Sequence, residues 1–330
     1  MKFFLSHPIK SIKYRYNNRV YGKYVFRSPE LKDIIDRDRK KAINILWWKH
    51  YHKEFPWKNP QTLNEKITWL SGASDTSLWT KYTDKFEVRK HVEELGLGHI
   101  LTKCYGVWDR VEDIDFDSLP NNFVLKCTHD CGSTIIIRDK QKELDIPKIT
   151  KFLNEHLAKI YGYDYVEPHY TKIKPRVMAE EVIPNLSNGI ESHSAIDYKI
   201  WCVNNKAVAV MVLYDRYLGS EGVASAVLDL YDVKTWQPIR HNLSEPYRKA
   251  KFKDIPKPNN YEEMIRIAEL LSSGFPIVRV DLYNVKGKIY FGELTFTSQG
   301  GRMNYYTDEF QYKIGRMINI QSSMAHAANR

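Results

Sequence analysis

Two carboxylates near the C-terminal end, Asp281 and Glu293, stand in stretches whose alternation brings them onto one surface. Residues 277–283 alternate so that Arg279, Asp281 and Tyr283 share a face, with Val278, Val280 and Leu282 behind them. Residues 288–296 alternate as well and group Phe291, Glu293 and Thr295. A three-residue loop, Val285-Lys286-Gly287, is expected to join them, Gly287 taking the positive φ that a tight turn needs. Asp281 then faces Phe291, Arg279 faces Glu293, and the two carboxylates become diagonal neighbours roughly 7–8 Å apart. Hard oxygen ligands at that separation can bracket a pair of magnesium ions about 3.5–4 Å apart. The same residues also suit a surface hairpin tied by an ordinary Arg279–Glu293 salt bridge, and the hairpin alone does not choose.

Other elements must hold this pair in place. Residues 197–216 read as two apolar strands meeting at Asn204-Asn205, a hairpin signal, with Asp197 and Lys199 on one face and Arg216 at the far end. Residues 122–138 read as strand, polar Gly-containing loop and strand. Cys127, His129 and Cys131 alternate there, but no fourth ligand at suitable spacing completes a metal site. Residues 177–183 are an apolar run carrying Glu180 and Glu181, a common enough strand end, stopped by Pro184. Helical spacing marks residues 30–55, 84–95, 148–161 and 261–273. Thr62 and Glu65 form a capping-box signature, and Asp84 and Asn260 are expected to cap their helices. Lys85 and Arg89 lie one turn apart and read, as charge alone, as a solvated pair.

Composition narrows the class. With 330 residues, 43% hydrophobic and 27% charged, the chain has the profile of a soluble globular protein with a sizeable core. His7, Pro8 and Lys10 interrupt the apolar opening before it makes a signal peptide, and no run approaches a membrane span. Four scattered cysteines make no disulfide framework and point to a reducing cytoplasm. The charge is uneven: residues 1–60 hold 15 Lys/Arg against 5 Asp/Glu, which equals the +10 of the whole chain. Such a segment suits either an anionic membrane or glycan, which would place the protein at the inner face of the membrane, or a helical extension with a solvated basic face. No nucleic-acid recognition motif accompanies it.

Taken together, the stretches NPQTLNEKITWL, TDKFEVRKHV, DSLPNNFVLKCTHDCGS, DYKIWCVNNK and VRVDLYNVKGKIYFGELTF closely resemble the TupA-like ATP-grasp family of polysaccharide biosynthesis, from Asn59 to Phe296. The resemblance implies an α+β ATP-grasp fold, two α/β lobes with ATP between them. It divides the chain into a basic helical region (1–60), a helical lead-in with the small lobe (61–183) and a large lobe with the metal-binding hairpin (184–330). It implies ATP and Mg2+ as cofactors, with Asp281, Glu293 and Thr295 as metal ligands. Lys126, Gly132, Ser133 and Lys199 would meet the phosphates, Asp197 would belong to the same cofactor-binding set, and Glu180 or Glu181 would meet the base and ribose. Arg279, Lys199 and Arg216 would act on the acyl-phosphate and the tetrahedral intermediate. Two departures stand out: Thr295 replaces the usual Asn, and the phosphate loop reads His129-Asp130-Cys131-Gly132-Ser133 where the family has more glycine.

The implied reaction joins a carboxylate to an amine through an acyl-phosphate, the acceptor being a uronic-acid or amino-acid carboxylate on a surface polysaccharide precursor. A glycosyltransferase is the rival enzyme class. Its acidic pair would have to be Asp115-Phe116-Asp117, in a polar loop, or Asp36-Arg37-Asp38, in the basic helix. A carbohydrate-binding protein that keeps the fold with a decayed site is the non-enzyme rival.

Overall fold

The computed structural model describes residues 8–185, 192–219 and 222–320, which form two antiparallel sheets with helices around them. The smaller sheet holds β1 (Cys104–Trp108), β2 (Phe123–Cys127), β3 (Ile135–Ile137) and β4 (Val177–Glu180) in the order β1-β4-β2-β3. The larger sheet holds β5 (Asp197–Val203), β6 (Lys206–Gly219), β7 (Gly222–Asp232), β8 (Ile277–Val285) and β9 (Lys288–Thr295) in the order β7-β6-β5-β8-β9.

Each sheet has its own core. Phe123, Leu125, Val177 and Ala179 of the small sheet pack with Val111, Ile149 and Leu153. The larger core takes in the helices that precede the small sheet: α1 (Pro8–Tyr21), α2 (Pro29–Arg37), α3 (Arg39–Tyr51), α4 (Leu63–Ala73), α5 (Ser77–Thr83) and α6 (Glu87–Glu94). Residues 30–55 therefore form two helices where one was expected. Asp38 divides them: its backbone N–H closes α2 on Ile34, and its carboxylate accepts from Lys41 N at 2.9 Å to cap α3. The α3 residues Ile43, Ile45, Leu46, Trp47 and Trp48 are buried, so this part of the basic region is structural core. Thr62 and Glu65 close both halves of the expected capping box at the start of α4. Three later helices complete the fold: α7 (Ile146–Leu157), α8 (Tyr261–Leu271) and α9 (Asp308–Met317). Among the described residues no helix is long and apolar enough to cross a membrane.

Both hairpins that bear the site close with two-residue turns. Asn204 and Asn205 have φ of 48° and 64°, and Lys286 and Gly287 have φ of 50° and 85°. Positive φ at both central positions matches the right-handed twist of the flanking strands. The β8–β9 turn is thus one residue shorter than expected, and Val285 pairs with Lys288. Asn260 makes no capping bond to α8; its amide instead donates to Gly287 O at 2.8 Å and steadies the turn.

Candidate active site

A bulge corrects the register of the hairpin a second time. Continued without interruption, the short turn would set Asp281 against Gly292. The extra residue shifts the pairing between Asp281 and Leu282, so Asp281 lies directly opposite Glu293 and Arg279 opposite Thr295. Glycine suits the position, because a Cβ there would stand 2.9 Å from the Asp281 carbonyl oxygen. The carboxylates are therefore face to face instead of diagonal. On the other side of β8, Lys199 pairs with Asp281, so Lys199, Asp281 and Glu293 form a row across three strands.

Arg279 is threaded through this row. Its guanidinium donates to Asp281 Oδ1 and Oδ2, both at 2.7 Å, and to Glu293 Oε1 at 3.2 Å, Thr295 Oγ1 at 3.0 Å and Ser298 Oγ at 2.7 Å. Lys199 Nζ donates to Asp281 Oδ2 and lies 2.8 Å from Asp197 Oδ2, which Arg216 also reaches at 2.5 Å. Three carboxylates thus meet three cations on one sheet, across β6, β5, β8 and β9. Glu293 is the open member, its side chain 42% exposed against 2% for Asp281.

The charges tune one another. Desolvation opposes ionisation of Glu293, but Lys199, Arg279 and Lys85 hold its carboxyl down to about 2. Burial works against Asp197 too, and Lys199 with Arg216 holds it below the usual carboxylate range. Burial pushes Asp281 up, with Arg279 and Lys199 pulling the other way. Two buried polar atoms here have no partner, Asp197 Oδ1 and Arg216 Nε. Buried polar atoms are normally satisfied, so a site with such orphans suits a polar ligand or water. Among the described residues no three His, Cys, Asp or Glu could hold a metal by themselves. A cation here would rest on Asp281, Glu293 and oxygens brought by a bound ligand, the hard donor set that magnesium takes. The hydroxyl expected as third ligand is already committed: Thr295 Oγ1 accepts from Arg279 and donates to Glu293 Oε1 at 2.9 Å.

The small sheet carries a second cluster. Lys126 Nζ donates to Glu180 Oε1, and Thr102 Oγ1 to Glu180 Oε2 at 2.8 Å. Arg89 lies 4.0 Å from the same carboxylate and donates to Thr102 O, its side chain only 15% exposed. It is therefore part of this cluster and not a solvated charge. The four-residue spacing of Lys85 and Arg89 was the available signal, and only the approach of Arg89 to Glu180 at the end of β4 gives it meaning. Glu181 is turned differently: its carboxylate accepts from Lys103 N at 3.2 Å.

The loop between β2 and β3 is the one expected to face phosphate. Ser133, expected to face phosphate, is turned inward: its hydroxyl accepts from Cys127 N at 2.8 Å and donates to Asp130 Oδ1 at 2.5 Å. Asp130 Oδ2 meets His156 Nδ1 at 2.5 Å, and Lys85 Nζ donates to the Asp130 carbonyl. Gly132, at φ 102° with open space where a Cβ would stand, is left exposed at the tip. Cys127 is buried against α7, His129 Nε2 meets Lys159 O at 3.0 Å, and Cys131 is exposed, so these three share no metal-binding face. The acidic pairs of the glycosyltransferase reading are structural too. Asp115 accepts from Asp117 N at 3.1 Å in a turn, Asp36 takes the Tyr163 hydroxyl at 2.9 Å, and Asp38 caps α3.

No curated protein matches the sequence. Among solved structures the chain is similar to D-alanine–D-alanine ligase from Bacillus anthracis in complex with ATP, at 14% identity and a TM-score of 0.45. That match covers 78% of this chain and 70% of the other. It is similar to an L-amino acid ligase from Bacillus licheniformis at 11% identity and a TM-score of 0.44, over 81% of this chain and 57% of that one. The match therefore spans less than two thirds of the second ligase. A family model described as TupA-like ATPgrasp matches residues 65–319. With most of its length so matched, the chain belongs to the TupA-like ATP-grasp family and is an ATP-grasp enzyme.

Proposed function

We propose that this enzyme is an ATP-dependent carboxylate–amine ligase. One observation carries the reading: the row of Lys199, Asp281 and Glu293 across three strands, with Arg279 bonded to both carboxylates. In the reaction, a carboxylate oxygen of the acceptor attacks the γ-phosphorus of ATP, and ADP leaves. An amine nitrogen then attacks the acyl carbon, phosphate departs, and the nitrogen loses a proton to solvent.

The chain's part is positioning and charge neutralisation. Lys126, Lys199 and Arg216 offset phosphate charge, and the Gly132 backbone gives close approach at the loop. Glu180, itself bonded by Thr102 and approached by Arg89, holds Lys126 in place, while Glu180 and Glu181 lie at the strand end assigned to base and ribose. Asp281 and Glu293 would hold magnesium, which supplies charge neutralisation at the phosphates when bound. Thr295 orients Glu293 and Arg279 in this scheme. Arg279 fixes the direction of both carboxylates, and we assign it to the tetrahedral oxyanion.

We assign the acceptor carboxylate to a uronic acid or amino acid of a cell-surface polysaccharide precursor, and the compartment to the cytoplasm. Residues 1–60 are assigned to an anionic surface, lipid or glycan. ADP release measured over a panel of uronic and amino acids, with and without an amine donor, tests the reaction. Sugar transfer from a nucleotide sugar without ATP consumption would overturn it.

A further inference from the structure

The first 29 residues contain seven Lys/Arg and no Asp or Glu. In α1 the sides divide sharply. Asn17 Nδ2 donates to Glu54 Oε1 at 2.9 Å, and the rings of Tyr14 and Tyr21 lie 5.3 Å and 6.3 Å from Trp48. The opposite side, Arg15, Arg19 and then Lys23 just past the helix end, is exposed at intervals of four residues.

The loop that follows adds apolar groups to this basic edge. Val25 is 68% exposed and Phe26 46%, and Tyr16 beside the cations is 66% exposed. They are held outward. Tyr24 is buried before them, and after them Arg27 makes two bonds to Asp164 at 2.6 Å and 2.5 Å. Water gives such a tip no reward, and a soluble polyanion rewards only the cations. An anionic bilayer rewards both, because the cations meet headgroups while the apolar tip enters the headgroup–acyl boundary.

We propose that Arg15, Arg19, Lys23, Val25 and Phe26 form a peripheral docking surface for anionic lipid. This selects lipid over glycan and stands whether or not the ligase reading holds. The experiment is vesicle flotation of the full chain with phosphatidylglycerol/phosphatidylethanolamine vesicles, against phosphatidylcholine vesicles. Retention on an immobilised polyuronate runs alongside. The parent should float with the anionic vesicles only, and less so in high salt. The variant R15E/R19E/K23E should partition about a hundred-fold more weakly. V25S/F26S should partition about ten-fold more weakly while polyuronate retention stays at the parent level. Thermal melts of both variants should match the parent, since all five side chains are exposed. Three outcomes overturn the proposal: a parent that fails to float, variants that float like the parent, or V25S/F26S retaining full flotation.

Discussion

The row on the large sheet and the β2–β3 loop of the small sheet both assemble charged side chains, yet they are held by opposite means. On the large sheet each charged side chain is aimed by strand pairing: Lys199 lies opposite Asp281, Asp281 lies opposite Glu293, and Arg279 bonds both carboxylates. In the loop there is no ladder. One buried carboxylate, Asp130, ties Ser133 to His156, and Lys85, just before α6, holds the backbone. The first arrangement is fixed by the fold, while the second is a latch that can open without unfolding a sheet. The lesson is that the glycine-poor loop gains definition from side chains where a glycine-rich one would stay loose.

Breaking the row should cost most. Glu293→Gln keeps shape and hydrogen-bonding capacity but removes the open carboxylate, so ADP release should fall about 100- to 1,000-fold with folding retained. Asp281→Asn should be at least as inactive. It should also melt earlier, because Arg279 and Lys199 are left as buried charges without a full counter-ion, a loss on the order of 3 kcal/mol. ADP-release kinetics and thermal melts of both variants check this. Parental turnover in either would make the row a structural ion-pair network.

Opening the latch should cost less. Asp130→Ala removes the groups that hold Ser133 and His156, so the loop should become more sensitive to protease and KM for ATP should rise about ten-fold. The large-sheet row should be untouched, and kcat should stay within about three-fold. A fall in kcat with unchanged KM would instead place Asp130 in the chemistry.

Between the two regions lies Glu167, bonded by Thr297 just after β9 at 2.5 Å. Burial pushes its carboxyl up to about 7 from an ordinary 4.5. The folded state therefore binds this proton more tightly than the unfolded one. Stability from this group is complete below about 4.5 and is lost as pH rises to about 7. Glu167→Gln should remove that loss, raising Tm at pH 8 by about 2–4 °C relative to the parent and leaving pH 4.5 unchanged. Parallel pH–Tm curves for the two proteins would contradict it.

Much of this is legible in the residues alone, and the failures have physical causes. Alternation finds β5, β8 and β9, and puts Arg279, Asp281, Glu293 and Lys199 on faces that do meet. The register escapes it because two local features add in the same direction: a turn one residue shorter than expected and a bulge at Gly292. Neither Lys286 nor Gly292 advertises its role. Lysine carries no preference for left-handed backbone, and a glycine within a strand marks a close backbone approach as readily as a bulge. Ser133 is misread because a hydroxyl beside a glycine looks the same in sequence whether it faces ligand or core. Arg89 reads as solvated because its partners, Thr102 and Glu180, come from elements that only tertiary packing brings to α6.

The smallest expected effect tests how far the row tolerates change. Thr295 is 8% exposed, and its hydroxyl accepts from Arg279 Nη2 at 3.0 Å while donating to Glu293 Oε1 at 2.9 Å. Asparagine can reproduce both roles, its amide oxygen accepting from the guanidinium and its NH2 donating to the carboxylate. It is also one heavy atom longer, which carries a carbonyl oxygen nearer the open side where Glu293 stands. Hard carbonyl oxygens are acceptable to magnesium, whereas a hydroxyl bound on both sides has little left to offer. Thr295→Asn should therefore leave the maximal rate within about two-fold and lower the magnesium concentration needed for half-maximal ADP release. A Thr295→Val variant serves as the control, since it keeps the volume and removes both hydrogen bonds. It should lose about ten-fold in rate by freeing Arg279 and Glu293 from each other's geometry. If Thr295→Asn is the slower of the two, the site has no room for a longer side chain. The hydroxyl is then a fixed part of the row, not a replaceable spacer.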